Sequence, residues 1–214
     1  MRTTLGQDVA GIASGLNDDV IHVWLLSYRK SEHRAPLRAL LGVYLGLPAD
    51  AVMLVEGEHG RPELAAPWNR SLQFNWSHSG DKAVIAIALD VVPGIDLEQV
   101  RPRPRAMELA QRFFHPTEVT ALNALEQGLR ERAFLQLWTA KEAVLKALGR
   151  GIAFGLHRLC VATAPEISAL LWLEDDDASQ WRLHPLELGA DYLASVAWRG
   201  PPRSVSCWTL AENG

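Results

Sequence analysis

The sequence predicts an α+β protein made of two halves that meet near Pro93. Short runs of branched apolar residues alternate with longer stretches of good helix formers. Two strand-like runs of similar character, K-A-V-I-A-I-A-L at 82–89 and D-Y-L-A-S-V-A-W at 191–198, fall one on either side of that point. Pro93-Gly94 punctuates the chain between them. Residues 1–17 read as a loose tail, 18–92 as a first α+β half and 93–214 as a second, and a cleft between halves is where a ligand is sought.

The elements follow in order. V-I-H-V-W-L-L (Val20–Leu26) predicts a buried strand, and Glu32–Leu45 a helix with Pro36 in its first turn, where a missing N–H is tolerated. A-V-M-L-V-E (Ala51–Glu56) reads as a strand. F-N-W-S-H-S-G (Phe74–Gly80) reads as a loop leading into the strand Lys82–Leu89, and I-D-L-E after Pro93-Gly94 as a further short strand. R-P-R-P-R (Arg101–Arg105) is expected to be extended and solvent-facing, because each proline disfavours helix at the residue before it. Helices are expected over Ala106–Phe114, Pro116–Leu125 and Leu129–Leu148, the last stopped by Gly149. Strands follow at Leu159–Ala162, Ala169–Leu173, Gln180–Leu183, Tyr192–Trp198 and Val205–Leu210.

With 48% hydrophobic and 21% charged residues, the composition is that of a soluble globular chain. A net charge of −4 excludes a nucleic-acid binder held by an overall basic surface, so an anionic ligand has to meet a local cluster of Arg and Lys. No apolar run approaches the ~20 residues of a membrane span, and Met1–Leu16 lacks the sustained apolar core of a signal peptide. Cys160 and Cys207 read as free thiols in a reducing compartment. These observations predict a cytoplasmic protein that binds neither membrane nor nucleic acid.

Two stretches carry candidate chemistry. On a strand, residues two apart share a face, so in G-I-D-L-E (Gly94–Glu98) the carboxylates of Asp96 and Glu98 lie side by side while Ile95 and Leu97 point to the core. That is either a solvated strand face or a site for a hard cation such as Mg²⁺, which takes carboxylate oxygens together with substrate phosphates. In W-T-A-K-E-A-V-L-K-A-L-G (Trp138–Gly149), Glu142 and Lys146 are four apart and share a helix face. Alone they make an ordinary ion pair. With Lys141 and Arg150 they also offer a third carboxylate and a set of cations for phosphate. Arg34 at a helix start, Arg61 in G-R-P, and Ser77 and His78 in F-N-W-S-H-S are further candidates for phosphate or ribose contact. H-P-T-E (His115–Glu118) is sufficiently explained as a helix entry.

Taken together, G-R-P (60–62), F-N-W-S-H-S (74–79), G-I-D-L-E (94–98), R-F-F-H-P-T-E (112–118) and W-T-A-K-E-A-V-L-K-A-L-G-R-G (138–151) resemble the 4′-phosphopantetheinyl transferases of the surfactin (Sfp) type, as does H-R-A-P-L-R-A-L-L-G-V-Y-L-G (33–46). The resemblance implies two pseudo-twofold-related α+β halves of similar topology in a monomer, with coenzyme A and Mg²⁺ (or Mn²⁺) in the cleft between them. It implies transfer of the phosphopantetheine arm of coenzyme A to a serine of an acyl- or peptidyl-carrier protein, with release of adenosine 3′,5′-bisphosphate. It further implies that Asp96, Glu98 and Glu142 hold the metal. Arg34, Arg61 and His78 would face the 3′-phosphate and adenosine with Ser77 close by, and Lys141 and Lys146 would contact the diphosphate. Glu142 is then the expected general base and Lys146 the residue that assists the leaving phosphate. A Mg²⁺-dependent nucleotide pyrophosphatase and a non-catalytic coenzyme A or carrier-protein binder are the alternatives. The link between first strand and first helix, S-Y-R-K-S-E, is short for that family, leaving Arg29 and Lys30 as the basic residues there. R-P-R-P-R with Met107, Leu109 and Phe113 is a candidate ridge for the carrier.

Overall fold

The computed structural model describes residues 2–4, 9–57, 60–163 and 169–210. The chain forms β1 (Arg2–Thr4), α1 (Val9–Ser14), β2 (Val20–Ser27), α2 (Ala35–Leu45), β3 (Leu54–Glu56), β4 (Pro62–Leu64), β5 (Leu72–Ser79), β6 (Lys82–Leu89) and β7 (Gly94–Gln99). There follow α3 (Ala106–Phe113), α4 (Pro116–Ala124), α5 (Gln127–Leu148), β8 (Leu159–Val161), β9 (Leu170–Leu173), β10 (Trp181–Glu187), β11 (Tyr192–Arg199) and β12 (Ser204–Leu210). No helix among the described residues is long and apolar enough to cross a membrane. Both cysteines are free thiols, Cys160 buried and Cys207 half-buried.

Two sheets carry the architecture, in the orders β1-β12-β2-β6-β5 and β10-β11-β7. Within them the antiparallel trios β2-β6-β5 and β7-β11-β10 have the same order, and each begins with a strand leading to helix, continues through a two-stranded ribbon (β3-β4 or β8-β9) and ends in a hairpin. The two runs that look alike in sequence are β6 and β11, the central strands of these trios. The fold is α+β, in two halves of similar topology.

Alternation along the strands builds the layers. Ile21, Val23, Val84 and Ala86 of the first sheet meet Ile95, Leu97, Ala194 and Val196 of the second in a core between the sheets. Their strand neighbours Trp24, Ile85 and Ile87 pack against Leu37, Leu40 and Leu41 of α2. Leu193 and Ala197 face Ala140, Ala143 and Val144 of α5 on the outer side of the second sheet. The order from one side to the other is therefore helix, sheet, sheet, helix.

Four expectations change. Of the tail 1–17, Arg2–Thr4 and Val9–Ser14 form β1 and α1, while residues 1 and 5–8 lie outside the described residues. The second half does not keep all of 93–214, because β12 returns to lie parallel to β2 in the first sheet. Ala49–Ala51 is a 3₁₀ turn after Pro48, so only Leu54–Glu56 of the expected strand from Ala51 remains. F-N-W-S-H-S is strand rather than loop: Leu72 and Phe74 face the core under α2, while Asn75, Ser77 and Ser79 face β7.

Candidate active site

The last of these changes builds the seam where the halves meet. β5 and β7 are the facing edges of the two sheets, yet they share no backbone ladder. Polar side chains at every second position of β5 stand in for one. The Asn75 side-chain oxygen accepts the buried Ile95 N–H at 3.2 Å, and Ser79 Oγ accepts the Gln99 N–H at 3.1 Å. Between them, Ser77 Oγ donates to Asp96 Oδ1 at 2.8 Å. A buried strand edge cannot leave its N–H groups unpaired, which accounts for Asn and Ser at these spacings on the face of β5 turned to β7.

Glycine brings α5 onto this edge. A Cβ at Gly94 would lie 2.0 Å from Ala143 O and 2.3 Å from Ala147 N, both backbone atoms of α5. The helix crosses β7 directly over Gly94, and the strand period then turns Asp96 and Glu98 to the same side. Lys146 Nζ donates to Asp96 Oδ1 at 2.7 Å and to Ile95 O at 3.0 Å. Glu142, one turn earlier on the same helix face, is 5% exposed. Its carboxyl is pushed up to about 7, first by burial and then by the Asp96 charge, with Glu98 adding to the rise and Lys146 opposing it. Burial and the Asp96 charge also raise Glu98, against the pull of Arg103, whose Nη2 donates to Glu98 Oε2 at 2.6 Å.

Asp96, Glu98, Glu142 and Lys146 thus come together, with Ser77 behind Asp96. Among the described residues no three His, Cys, Asp or Glu side chains form a ready ion-binding set, and the acids are instead held by resident cations, Lys146 on Asp96 and Arg103 on Glu98. Two buried carboxylate oxygens nonetheless have no hydrogen-bond partner: Asp96 Oδ2 and Glu142 Oε1. Orphaned buried anionic oxygens are costly, and paired hard oxygen donors are the chemistry that fits Mg²⁺.

Lys141 is not part of this group. Its side chain is fully buried, with Nζ donating to Glu118 Oε1 at 2.7 Å and to Leu159 O at 2.6 Å. The expectation that it meets a diphosphate is therefore overturned: one residue before Glu142, it is turned about 100° around the helix and sealed in the core. Glu118 completes the lock, taking the Val161 N–H at 2.8 Å and, as the helix entry predicts, the His115 N–H at 3.0 Å. No feature of the sequence pairs Glu118 with Lys141, because their separation fits no local period.

The remaining candidates flank the seam. Tyr28, Glu32, His33, Arg34, Arg38 and Trp76 line an open groove of about 580 Å³, so Arg34 faces a ligand-sized space with a second arginine beside it. Its only ion-pair partner among the described residues is Glu56, at 3.6 Å. His78 is exposed and packs its ring 4.9 Å from Tyr28 and 5.5 Å from Trp76. Partial burial against these rings, then the charges of Lys30 and Lys146, lower its pKa. Arg61 is a tie across the seam rather than a free cation: Nη2 donates to Phe74 O at 2.9 Å and Nη1 to Lys146 O at 3.2 Å. Arg101–Arg105 is extended into a turn with Arg103 half-buried, and Met107, Leu109 and Phe113 are partly buried against the second-half core.

Carboxylates and a lysine are thus gathered beside an arginine-bearing groove, at the seam of two like halves. The chain belongs to the 4'-phosphopantetheinyl transferase superfamily, whose family profile matches residues 93–197. It is 38% identical over 168 residues to the 4'-phosphopantetheinyl transferase HetI of Nostoc, spanning 78% of this chain and 69% of that one. It is 32% identical over 142 residues to the 4'-phosphopantetheinyl transferase psf-1 of Bacillus pumilus (66% and 59% of the two chains). A human L-aminoadipate-semialdehyde dehydrogenase-phosphopantetheinyl transferase is 26% identical over 188 residues, covering 80% and 61%.

Proposed function

We propose that this chain moves the 4′-phosphopantetheine group of coenzyme A onto a serine hydroxyl of an apo acyl- or peptidyl-carrier protein, releasing adenosine 3′,5′-bisphosphate. Glu142 carries the reading: a nearly buried carboxyl with one oxygen unpartnered, on the helix face shared with Lys146 and beside Asp96. The names of the relatives support the same chemistry.

In this reading Asp96, Glu98 and Glu142 would hold Mg²⁺ or Mn²⁺, which would supply positive charge to neutralise and polarise the diphosphate. The protein's own groups do the rest. Glu142 accepts the serine proton as the serine oxygen bonds to the phosphorus bearing the pantetheine arm. The bond from that phosphorus to the bridging oxygen breaks, and its electron pair leaves on the adenosine-side phosphate. Lys146 steadies the charge that develops on it. Arg34 and Arg38 supply cations for the 3′-phosphate end, and Tyr28, Trp76 and His78 supply ring faces for the purine. Ser77 acts through Asp96, and Arg61 holds α5 to β5.

The test is the intact mass of an apo carrier protein incubated with the chain, coenzyme A and Mg²⁺. Gain of one phosphopantetheine group, lost with chelator and in Glu142→Gln, is the expected result. Cleavage of coenzyme A with every carrier unmodified would replace the transferase reading with that of a Mg²⁺-dependent pyrophosphatase.

A further inference from the structure

Four hydrogen bonds hold the chain that follows β7, two of them joining the loop Arg101–Arg105 to β7 itself. Val100 N–H donates to Asp191 O at 2.8 Å, and Arg101 Nε to the Gln99 side-chain oxygen at 2.6 Å. Arg103 N–H donates to Glu131 of α5 at 2.8 Å, and Arg103 Nη2 to Glu98 Oε2 at 2.6 Å. The first and third are backbone anchors that set the path of the loop. The last is different, because it joins a charged side chain of the loop to a carboxylate of the acidic cluster. Pro102 and Pro104 flank Arg103 and restrict the backbone on both sides of it. Arg103 Nε is buried without a partner, so the guanidinium is seated for the sake of its contact with Glu98 rather than for a full set of hydrogen bonds.

Glu98 needs a counter-charge. It is half-buried beside Asp96, and its other neighbour is a neutral hydroxyl, Ser79 Oγ at 3.3 Å. We infer that Arg103 is a built-in counter-ion for Glu98 which a divalent cation at the acidic cluster displaces, so that cation binding removes one tether of the proline-rich loop and loosens it. The inference rests on the proposed function in taking Glu98 as a residue of the cation site. Arg103 acts through Glu98 as a positioning residue. It keeps the cluster intact without the ion, lowers affinity for the ion, and couples the site to the segment that follows β7. Lys146 holds Asp96 in a different manner, since its ammonium is also fixed to Ile95 O on the rigid α5–β7 contact.

Mn²⁺ binding to the coenzyme-free protein, followed by electron paramagnetic resonance, tests this without any assay of turnover. Arg103→Gln should bind Mn²⁺ about two- to fivefold more tightly, the worth of a part-exposed ion pair, and Arg103→Lys should stay near the parent. Hydrogen exchange at the Arg103 and Ala106 amides, bonded to Glu131 and to Arg103 O, should quicken on adding Mg²⁺ to the parent. Equal or weaker Mn²⁺ binding by a folded Arg103→Gln protein, or exchange at these amides that Mg²⁺ leaves unchanged, overturns the displacement while leaving the cation site in place. No Mn²⁺ binding by either protein overturns the cation site itself, and the inference with it.

Discussion

Lys141 and Glu142 are adjacent in sequence and opposite in surroundings. The ammonium is sealed between Glu118 and Leu159 O, while the neighbouring carboxyl lies against Asp96 with one oxygen unpartnered. The first fixes the rotation of α5 about its axis, and that rotation points the second at β7.

Replacing the carboxyl without changing its shape separates these roles. Glu142→Gln should fold normally and lose ~10²–10⁴-fold in the rate of carrier modification, the usual contribution of a positioned base. Quenched-flow mass spectrometry reads the rate, and unchanged circular dichroism reports the fold.

Breaking the lock should act on stability instead. Glu118→Gln or Lys141→Met leaves an unpaired charge in a site with no exposure, at a cost of about 3–5 kcal/mol in urea unfolding. The double change Glu118→Gln with Lys141→Met should cost less than the sum of the singles, since no charge is then left alone. Additivity would show that the two groups do not compensate one another.

Gly94 offers a steric test of the α5–β7 contact. Gly94→Ala puts a methyl into two backbone atoms of α5, so helix and strand have to part, at about 1–3 kcal/mol. The rate of carrier modification should fall further than stability alone explains, because Glu142 and Lys146 move away from Asp96. Gly128→Ala is the control: nothing lies within 4 Å of its Cβ, and alanine suits a helix better. It should leave the rate unchanged and raise the melting temperature slightly.

His22 predicts a pH effect far from the site. Its ring is buried, Nδ1 lies 2.8 Å from the Tyr44 hydroxyl, and burial lowers its pKa to about 4 from 6.5. Tyr44 oxygen already accepts the Trp24 indole N–H at 2.8 Å, so its own hydrogen goes to an unprotonated imidazole. The unfolded chain takes up the proton first as pH falls. The contribution to stability is therefore complete above pH 6.5 and is lost as pH drops toward 4, with a slope of at most about 1.4 kcal/mol per pH unit. Urea midpoints at pH 7 and pH 4.5 for the parent and His22→Phe measure it. An equal fall in both proteins would assign the effect to other groups.

Much of this was legible in the residues themselves. Strand alternation placed Asp96 and Glu98 opposite Ile95 and Leu97, and the helical period joined Glu142 to Lys146; both patterns are local. The likeness of 82–89 to 191–198 marked the central strands of the two trios. What the residues did not disclose depends on partners distant along the chain. Lys141 reads as a phosphate ligand because nothing in its own helix shows that Glu118 lies beside it. Asn75, Ser77 and Ser79 read as a polar loop because small polar side chains suit a turn, and only β7 reveals them as a substitute ladder. Arg61 is cationic by composition and structural by position, tied to two carbonyls from opposite sides of the seam.

The place of β12 bears on how the protein comes into being. Val20–Ser27 is made well before one of its two partners, Ser204–Leu210, which lies far along the chain from it. Until then β2 presents a bare hydrogen-bonding flank, and exposed strand edges of this kind invite wrong pairings. Nascent first halves should therefore depend on holding factors, and a stop codon anywhere before Ser204 should yield a sticky product rather than a working half-enzyme.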